Sequence, residues 1–240
     1  MRLPSAAELV RVWELGQGKT SWQRGLLLLA PLFPDATFRA LSAMALGTRN
    51  AHLLALREHL FGSMLKAIVR CPHCRERMEF SLSVGMFLTK PPHGCDSAYE
   101  RTFALAAGGI DVRYRLLCSD DLGALAQSNA PAPEAALTAR AIVSVPDGAE
   151  LTPAVLDAVA DAIVTADPLS DIRLSLDCAS CHQEWIAPFD VASFLWTEIE
   201  GEVQQLIEDV HRLGTAYGWS EAAILTMSAQ RRREYLLRAS

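Results

Sequence analysis

Two short cysteine motifs constrain this chain more than any other feature of its sequence. Residues 71–74 read CPHC, and residues 178–181 read CASC. The two-residue gap lets both thiolates of one turn reach a common metal ion, and four thiolates complete the tetrahedral shell of a structural zinc site. We therefore predict a zinc ribbon with one structural Zn²⁺, bound by Cys71, Cys74, Cys178 and Cys181.

The residues beside both motifs alternate between apolar and polar side chains, as half-buried strands do. The alternation covers residues 78–84 and 172–176, and a weaker strand pattern follows at 184–189. About a hundred residues separate the two motifs, whereas familiar zinc ribbons have roughly 15–20. Two alternatives therefore stay open, namely two separate redox pairs or four buried thiols without a metal. We expect His73 and His182 to be bystanders, because four thiolates leave no vacancy.

Composition restricts the class of protein. Half of the 240 residues are hydrophobic, which suffices for a core in one large or two small domains. The net charge of −6 argues against a chain that follows nucleic acid, and we expect the basic cluster 231–233 to be a solvated helix end. The longest apolar run, residues 26–33, is far shorter than the ~20 residues of a membrane span. We expect a cytoplasmic protein with reduced cysteines, no signal peptide and no membrane contact.

Helical patterns dominate both ends of the chain. Ser5 and Glu8 form a capping-box pattern before the first helix. Gly47 and Thr48 are predicted to separate a third helix from a fourth, which continues to Leu65. Residues 190–213 predict a long amphipathic helix with carboxylates on its outer faces. The fold class is therefore α+β and mostly helical, in four parts: an N-terminal helical part (1–66), the ribbon (67–90 and 171–189), an inserted α/β segment (91–170) and a C-terminal helical part (190–240).

The inserted segment contains a predicted β-hairpin followed by helices. Residues 102–106 and 110–117 flank a Gly-Gly turn, which is typical of a hairpin. The alternation predicts that Asp111, Arg113 and Arg115 face water, while the core receives Val112, Tyr114 and Leu116. Helices are predicted from 119 to 126, from 134 to 143 and from Pro153 onward. We expect Cys118 to pack in the core, and Cys95 has no assigned partner.

Four stretches of the sequence carry a resemblance to a known family. They are LGTRNA at 46–51 with LREHLFG at 56–62, CPHC at 71–74, CASC at 178–181 with APFDVASFLW at 187–196, and YGWSEAAIL at 217–225 with RRREYL at 231–236. Together they resemble the baseplate hub assembly proteins, or chaperones, of T-even-like contractile phages and of phage-derived contractile injection systems. The likeness covers both ends of the chain, and the inserted segment is its least distinctive part.

The resemblance implies a protein without enzymatic activity and without catalytic residues. Its implied role is an assembly factor, or a minor structural component, of the baseplate or hub of a contractile tail or injection system. The implied partners are baseplate, hub or spike proteins, with no small-molecule substrate. Trp196, Tyr217 and Trp219 are candidate anchors for such a partner, because large aromatic side chains dominate interface energetics. The protein core is the alternative location for each of the three.

Two other functions fit the cysteine motifs. A zinc ribbon can serve as a nucleic-acid- or protein-binding module, and Arg70, Arg75 and Arg77 surround the first motif, although Asp177 and Glu184 flank the second. A thiol oxidoreductase would use one Cys-x-x-Cys pair, which normally begins a helix in a βαβ setting. A helical pattern precedes the first motif here and a strand pattern follows it, so the order differs from that of a redox pair.

Overall fold

The computed structural model describes residues 2–239 of the chain. The predicted fold class is confirmed, since the fold is α+β with helices at both ends and two-stranded hairpins between them. The helices are α1 (Ala6–Leu15), α2 (Ser21–Leu29), α3 (Phe38–Ser42), α4 (Leu46–Phe61), α5 (Ser119–Ala126), α6 (Pro133–Ala141), α7 (Pro153–Ala166), α8 (Val191–Tyr217), α9 (Glu221–Leu225) and α10 (Ala229–Leu236). The strands are β1 (Met64–Arg70), β2 (Arg77–Ser83), β3 (Phe103–Ala107), β4 (Ile110–Tyr114), β5 (Ile142–Ser144), β6 (Arg173–Asp177) and β7 (Glu184–Pro188). None of these helices combines the length and the apolar character needed to cross a bilayer.

Contacts divide the chain into two compact units. The terminal unit contains Met1–Asp35 and Ala192–Ser240, and the central unit contains Ala36–Val191. The central unit therefore holds both cysteine motifs, the whole inserted segment, and the helices α3 and α4. Each unit has its own buried apolar side chains.

The terminal unit is built from helices, and the first of them begins at the residues that the sequence predicted. The predicted capping box is confirmed, because the Glu8 N–H donates to Ser5 Oγ and the Ser5 N–H donates to Glu8 Oε2 at 2.8 Å. Trp196 on α8 is only 2% exposed, and the Arg24 guanidinium lies 4.5 Å from the centroid of its ring. Trp196 is thus a core residue of this unit rather than an exposed anchor.

A buried ion pair links α8 to α10 within the terminal unit. Arg232 Nε lies 3.3 Å from Asp209 Oδ2, and both side chains are buried. The sequence predicted solvated carboxylates on α8 and a solvated arginine cluster at 231–233, so it was wrong for this pair. The two residues are far apart in sequence, so the local pattern around each one does not indicate that they form a buried ion pair.

The inserted segment forms a three-stranded antiparallel sheet packed on α7. The predicted hairpin is confirmed as β3 and β4, joined at Gly108 and Gly109, whose φ angles are 58° and 80°. Val112 and Tyr114 face the core of this sheet, which also includes Val155, Val159 and Ile163 of α7. The sequence predicted helix as far as Val143, but α6 ends at Ala141 and β5 pairs with the free edge of β4.

Arg115 is buried, although the alternation predicted that it faces water. Its Nη1 and Nη2 atoms donate to Asp121 at 2.7 Å and 2.8 Å, and its guanidinium lies 4.5 Å from the centroid of the Tyr99 ring. Burial raises the pKa of Asp121, but the hydrogen bonds from Arg115 and from the Cys118 N–H outweigh it, so this pKa lies below its ordinary value. A buried carboxylate at the start of α5 is what overrides the alternation. Cys118 is fully buried, as predicted.

Helix α4 begins at Leu46, so Gly47 and Thr48 lie in its first turn and do not separate two helices. The Leu46 N–H donates to the Leu117 carbonyl at 2.8 Å, and the Gly47 N–H donates to Asp167 Oδ2 at 2.9 Å. Both acceptors belong to the inserted segment, and they satisfy amides that a helix leaves free at its N-terminus. Burial raises the pKa of Asp167.

Arg49 and Asn50, which follow in α4, are also buried. Asn50 Nδ2 donates to the Leu169 carbonyl at 2.7 Å, and Asn50 Oδ1 accepts from Arg49 Nε at 3.1 Å. Arg49 Nη1 donates to Ser119 Oγ at 3.2 Å, and burial lowers the pKa of Arg49 to about 10. The LGTRNA stretch therefore joins α4 to the inserted segment through a buried hydrogen-bond network.

We expect Gly47→Ala to destabilise the protein. A Cβ at position 47 would overlap the Asp167 carboxylate, which is buried and cannot retreat without losing its hydrogen bond. The expected loss of unfolding free energy is about 1–3 kcal/mol, measured by urea denaturation.

The matched control is Gly201→Ala in α8, where a Cβ meets nothing within 4 Å. This change should stabilise the protein by about 0.5–1 kcal/mol, because alanine favours helix. Equal stabilities of the Gly47→Ala variant and the wild type would contradict the close contact with Asp167.

Candidate metal centre

Each cysteine motif lies in the turn of a two-stranded antiparallel hairpin. Strands β1 and β2 end at the pair Arg70–Arg77, and strands β6 and β7 end at the pair Asp177–Glu184. The turn between each pair has the cysteines at its first and fourth positions. The sequence predicted a helix up to Leu65, but α4 ends at Phe61 and β1 begins at Met64. Gly62, with φ at 86°, ends the helix and leaves this short segment free to pair with β2.

The first turn is closed by two backbone hydrogen bonds. The Cys71 N–H donates to the Glu76 carbonyl at 2.9 Å, and the Arg75 N–H donates to the Cys71 carbonyl at 2.9 Å. Arg75 has a φ of 62°, which places it in the left-handed region that non-glycine residues seldom adopt. This conformation turns the chain back sharply after the second cysteine.

The second turn repeats the first one position for position. The Cys178 N–H donates to the Gln183 carbonyl at 3.0 Å, and the His182 N–H donates to the Cys178 carbonyl at 2.8 Å. His182 has a φ of 56°. Apart from the cysteines the two turns have different sequences, so their common backbone geometry follows from the placement of the thiols.

The structure brings all four predicted cysteines together. Their sulfur atoms lie within 4.8 Å of one another. Two sulfur pairs join the motifs directly, at 3.7 Å between the sulfurs of Cys71 and Cys181 and 3.6 Å between those of Cys74 and Cys178. A tetrahedron with metal–sulfur distances of ~2.3 Å has sulfur–sulfur edges of ~3.8 Å. The four thiols therefore form a possible metal-binding site of the right size.

The thiol pKa values differ strongly within the cluster. Backbone N–H groups of Cys181 and Ser180 donate to the sulfur of Cys178 and lower its pKa to about 7. The Glu76 N–H lowers the pKa of Cys74, but burial and the hydrogen bonds to the other three sulfurs outweigh it and raise this pKa to about 12. These pKa values apply to the four thiols without a metal, whereas a bound metal takes a thiolate from each residue.

One side of the cluster faces the protein and the other faces solvent. Cys71 and Cys178 are buried, Cys181 is half-buried and Cys74 is exposed. The side chains of His73 and His182 are exposed on the turns. A metal ion at this position would be bound by residues of the central unit, and it would be accessible from the side on which Cys74 is exposed.

The two hairpins carry opposite charges beside the cluster. The first ends in an arginine pair and the second in an acidic pair, and all four residues are exposed. Like charges directly opposite each other weaken a hairpin on its own. Exposed charges of this kind are screened by solvent, so each contributes at most about 1 kcal/mol.

No family model, curated protein or solved structure matches the chain. The chemistry of the site is given by its donor atoms. Thiolate sulfurs are soft ligands that favour zinc, copper(I) and iron–sulfur centres over magnesium or calcium. The site can therefore hold a soft metal ion with a shell made entirely of protein ligands.

Tyr217 and Trp219, the two remaining candidate anchors, lie in a ring cluster at the end of α8. Their rings stack with centroids 4.5 Å apart, and the Tyr235 ring packs edge-on against both. Tyr217 is 36% exposed and Trp219 is half-buried. The sequence alone gave no reason to select Tyr235, apart from its place in the RRREYL stretch.

We expect mild oxidation of the chelator-treated protein to join the two motifs to each other. The Cys71 and Cys181 sulfurs lie 3.7 Å apart and the Cys74 and Cys178 sulfurs 3.6 Å apart, so diamide should convert these pairs into disulfides. Peptide mass mapping after non-reducing digestion would detect the cross-linked peptides. A redox pair would instead give Cys71–Cys74 or Cys178–Cys181 disulfides, and their predominance would contradict the arrangement of the four sulfurs.

Proposed function

We propose that this chain is a non-enzymatic assembly factor, or a minor structural component, of the baseplate or hub of a contractile tail or contractile injection system, stabilised by a structural Zn²⁺. The observation that carries the proposal is the meeting of two hairpins, about a hundred residues apart in sequence, at one four-sulfur cluster. A metal site of this kind stabilises the fold. The proposed role in assembly rests on the resemblance of the four sequence stretches to baseplate hub assembly proteins.

The four-sulfur shell supports zinc in a structural rather than a catalytic site. Catalytic zinc keeps one coordination position open for water or substrate, whereas four cysteine ligands close the shell. Because the ligands come from two separate hairpins, the binding free energy of the ion becomes folding free energy of the central unit. The hairpin turns also differ from the helix N-terminus at which a redox-active cysteine pair is usually found.

The stretches that carry the resemblance have packing roles in the structure. LGTRNA forms the buried first turn of α4, and its amides and side chains bind the inserted segment. APFDVASFLW leads from β7 into α8 and ends in the buried Trp196. YGWSEAAIL and RRREYL supply the three-ring cluster. The ring cluster is partly exposed and offers a surface to partners, which suits an assembly factor for baseplate, hub or spike proteins.

We expect the protein to bind about one zinc ion per chain and to lose it when a ligand is removed. Cys71→Ser and Cys178→Ser should abolish stoichiometric zinc, measured by emission spectrometry, and lower the melting temperature by about 10 °C or more, because a loss of only about 3 kcal/mol already corresponds to about 6–12 °C in a domain of this size. Cys95→Ser is the matched control, because Cys95 is not in the cluster. Full zinc content in either ligand variant, or iron in place of zinc in the wild type, would refute the zinc site.

The assembly role predicts specific partners. The tagged protein, expressed in cells that make the contractile particle, should capture baseplate, hub or spike proteins. Mass spectrometry of the captured proteins would identify them, and analysis of purified particles would show whether this chain remains in them. Capture of none of these proteins, together with normal particle assembly in a deletion strain, would refute the proposed function.

A further inference from the structure

Three aromatic rings form a compact cluster within the terminal unit. Tyr217 ends α8, Trp219 lies in the turn that follows, and Tyr235 lies on α10. The stacked pair and the two edge-on contacts have centroid distances of 4.5, 5.7 and 4.8 Å. The Tyr217 hydroxyl also donates to the Tyr235 carbonyl at 3.4 Å. These contacts hold the end of α8 and the last helix together as one surface.

Arginines surround this ring cluster and line two clefts beside it. The Arg231 guanidinium lies 5.7 Å from the centroid of the Tyr235 ring, and Arg238 pairs with Glu234 at 2.9 Å. The first cleft, of about 450 Å³, is lined by Ser228, Gln230, Arg231, Glu234, Tyr235 and Arg238. The second cleft, of about 470 Å³, is lined by residues that include His211, Arg212, Tyr217 and Arg238. Arg238 thus borders both clefts, which lie side by side.

The charge of this segment is opposite to that of the whole chain. Residues 211–239 contain five arginines and two glutamates, although the chain has a net charge of −6. Arg232 is buried against Asp209, while Arg231, Arg233 and Arg238 are exposed. The result is a basic surface rich in tyrosine, tryptophan and arginine, the three residue types that most often dominate binding at interfaces.

We propose that this surface, the aromatic–arginine face formed by Tyr217, Trp219, Arg231, Tyr235 and Arg238, binds an acidic segment of a partner protein. The choice of partner rests on the proposed function, according to which the partner is a protein of the assembling baseplate or hub. Guanidinium groups bind carboxylates through paired, charge-assisted hydrogen bonds. The ring cluster gives the partner an apolar contact of fixed shape, so few side chains need to be ordered on binding.

A protein partner fits this face better than nucleic acid does. The three rings pack against one another, whereas single-stranded nucleic acid needs aromatic faces that are open for base stacking. The acidic remainder of the chain also disfavours a polyanion that extends beyond the face. An acidic protein segment can instead be short and local.

The test variant combines Arg231→Glu with Arg238→Gln. Arg231 is the third residue of α10, and its N–H donates to the capping Ser228 hydroxyl. A glutamate at this position completes a capping box, so the helix should be retained. The matched control combines Arg11→Glu with Lys19→Gln, which makes the same charge change at exposed positions of the same unit. Melting temperatures close to that of the wild type would show that both variants are folded.

The first measurement uses fluorescence anisotropy with two labelled probes, a polyglutamate peptide and an oligodeoxythymidine of equal charge. We expect polyglutamate to bind the wild type, and its affinity to fall about tenfold or more in the test variant but to change little in the control, since charge-assisted contacts are the strong ones at such a face. Equal losses in both variants, no binding of polyglutamate, or tighter binding of the oligonucleotide would overturn the proposal.

The second measurement separates this proposal from the proposed function. Tagged wild type, test variant and control are used to capture proteins from cells that make the particle. Loss of baseplate or hub proteins in the test variant alone supports the aromatic–arginine face. Equal capture by all three proteins would overturn the proposal that this face binds the partner, but it would not affect the proposed assembly role. Capture of no particle protein by any of them refutes the assembly role, while the polyglutamate result still decides the face.

Discussion

The meeting of four sulfur atoms at one point is the constraint on which the central unit depends. Closing a loop of about a hundred residues, instead of about twenty, costs only about 1.4 kcal/mol more in chain entropy. Structural zinc sites contribute apparent free energies of about 10–16 kcal/mol in small peptides. For the proposed zinc site the unusual spacing of the motifs would therefore be a small penalty, and it lets a complete sheet and three helices lie between the two hairpins.

The inserted segment is also fixed away from the cysteines. The first turn of α4 donates backbone hydrogen bonds to Leu117 and to Asp167, and Asn50 donates to Leu169. Leu117 lies in the first half of the inserted segment, and Asp167 and Leu169 lie at its end. Buried polar groups are costly unless they are satisfied, so this network favours one arrangement of the segment over others. Helix α4 and the sulfur cluster thus restrain the same insertion at different points.

Local chemistry explains what could be predicted from the sequence. The capping box at Ser5 and the Gly-Gly turn of the hairpin depend on neighbouring residues alone, and the structure agrees with both predictions. The start of α4 and the burial of Arg115 depend on partners elsewhere in the chain, so the local sequence patterns predicted both incorrectly. The cysteine cluster also depends on distant residues, yet thiol spacing indicated it, because few other chemistries use two such pairs.

The order of the two hairpins along the chain also affects how the protein is made. Ribosomes add about 5–20 residues per second, so the second hairpin emerges several seconds after the first. During that interval the first hairpin supplies only two of the four thiols of the cluster. Nascent chains would consequently hold two thiols without their partners, and the cluster can close only after residues 178–181 have left the ribosome.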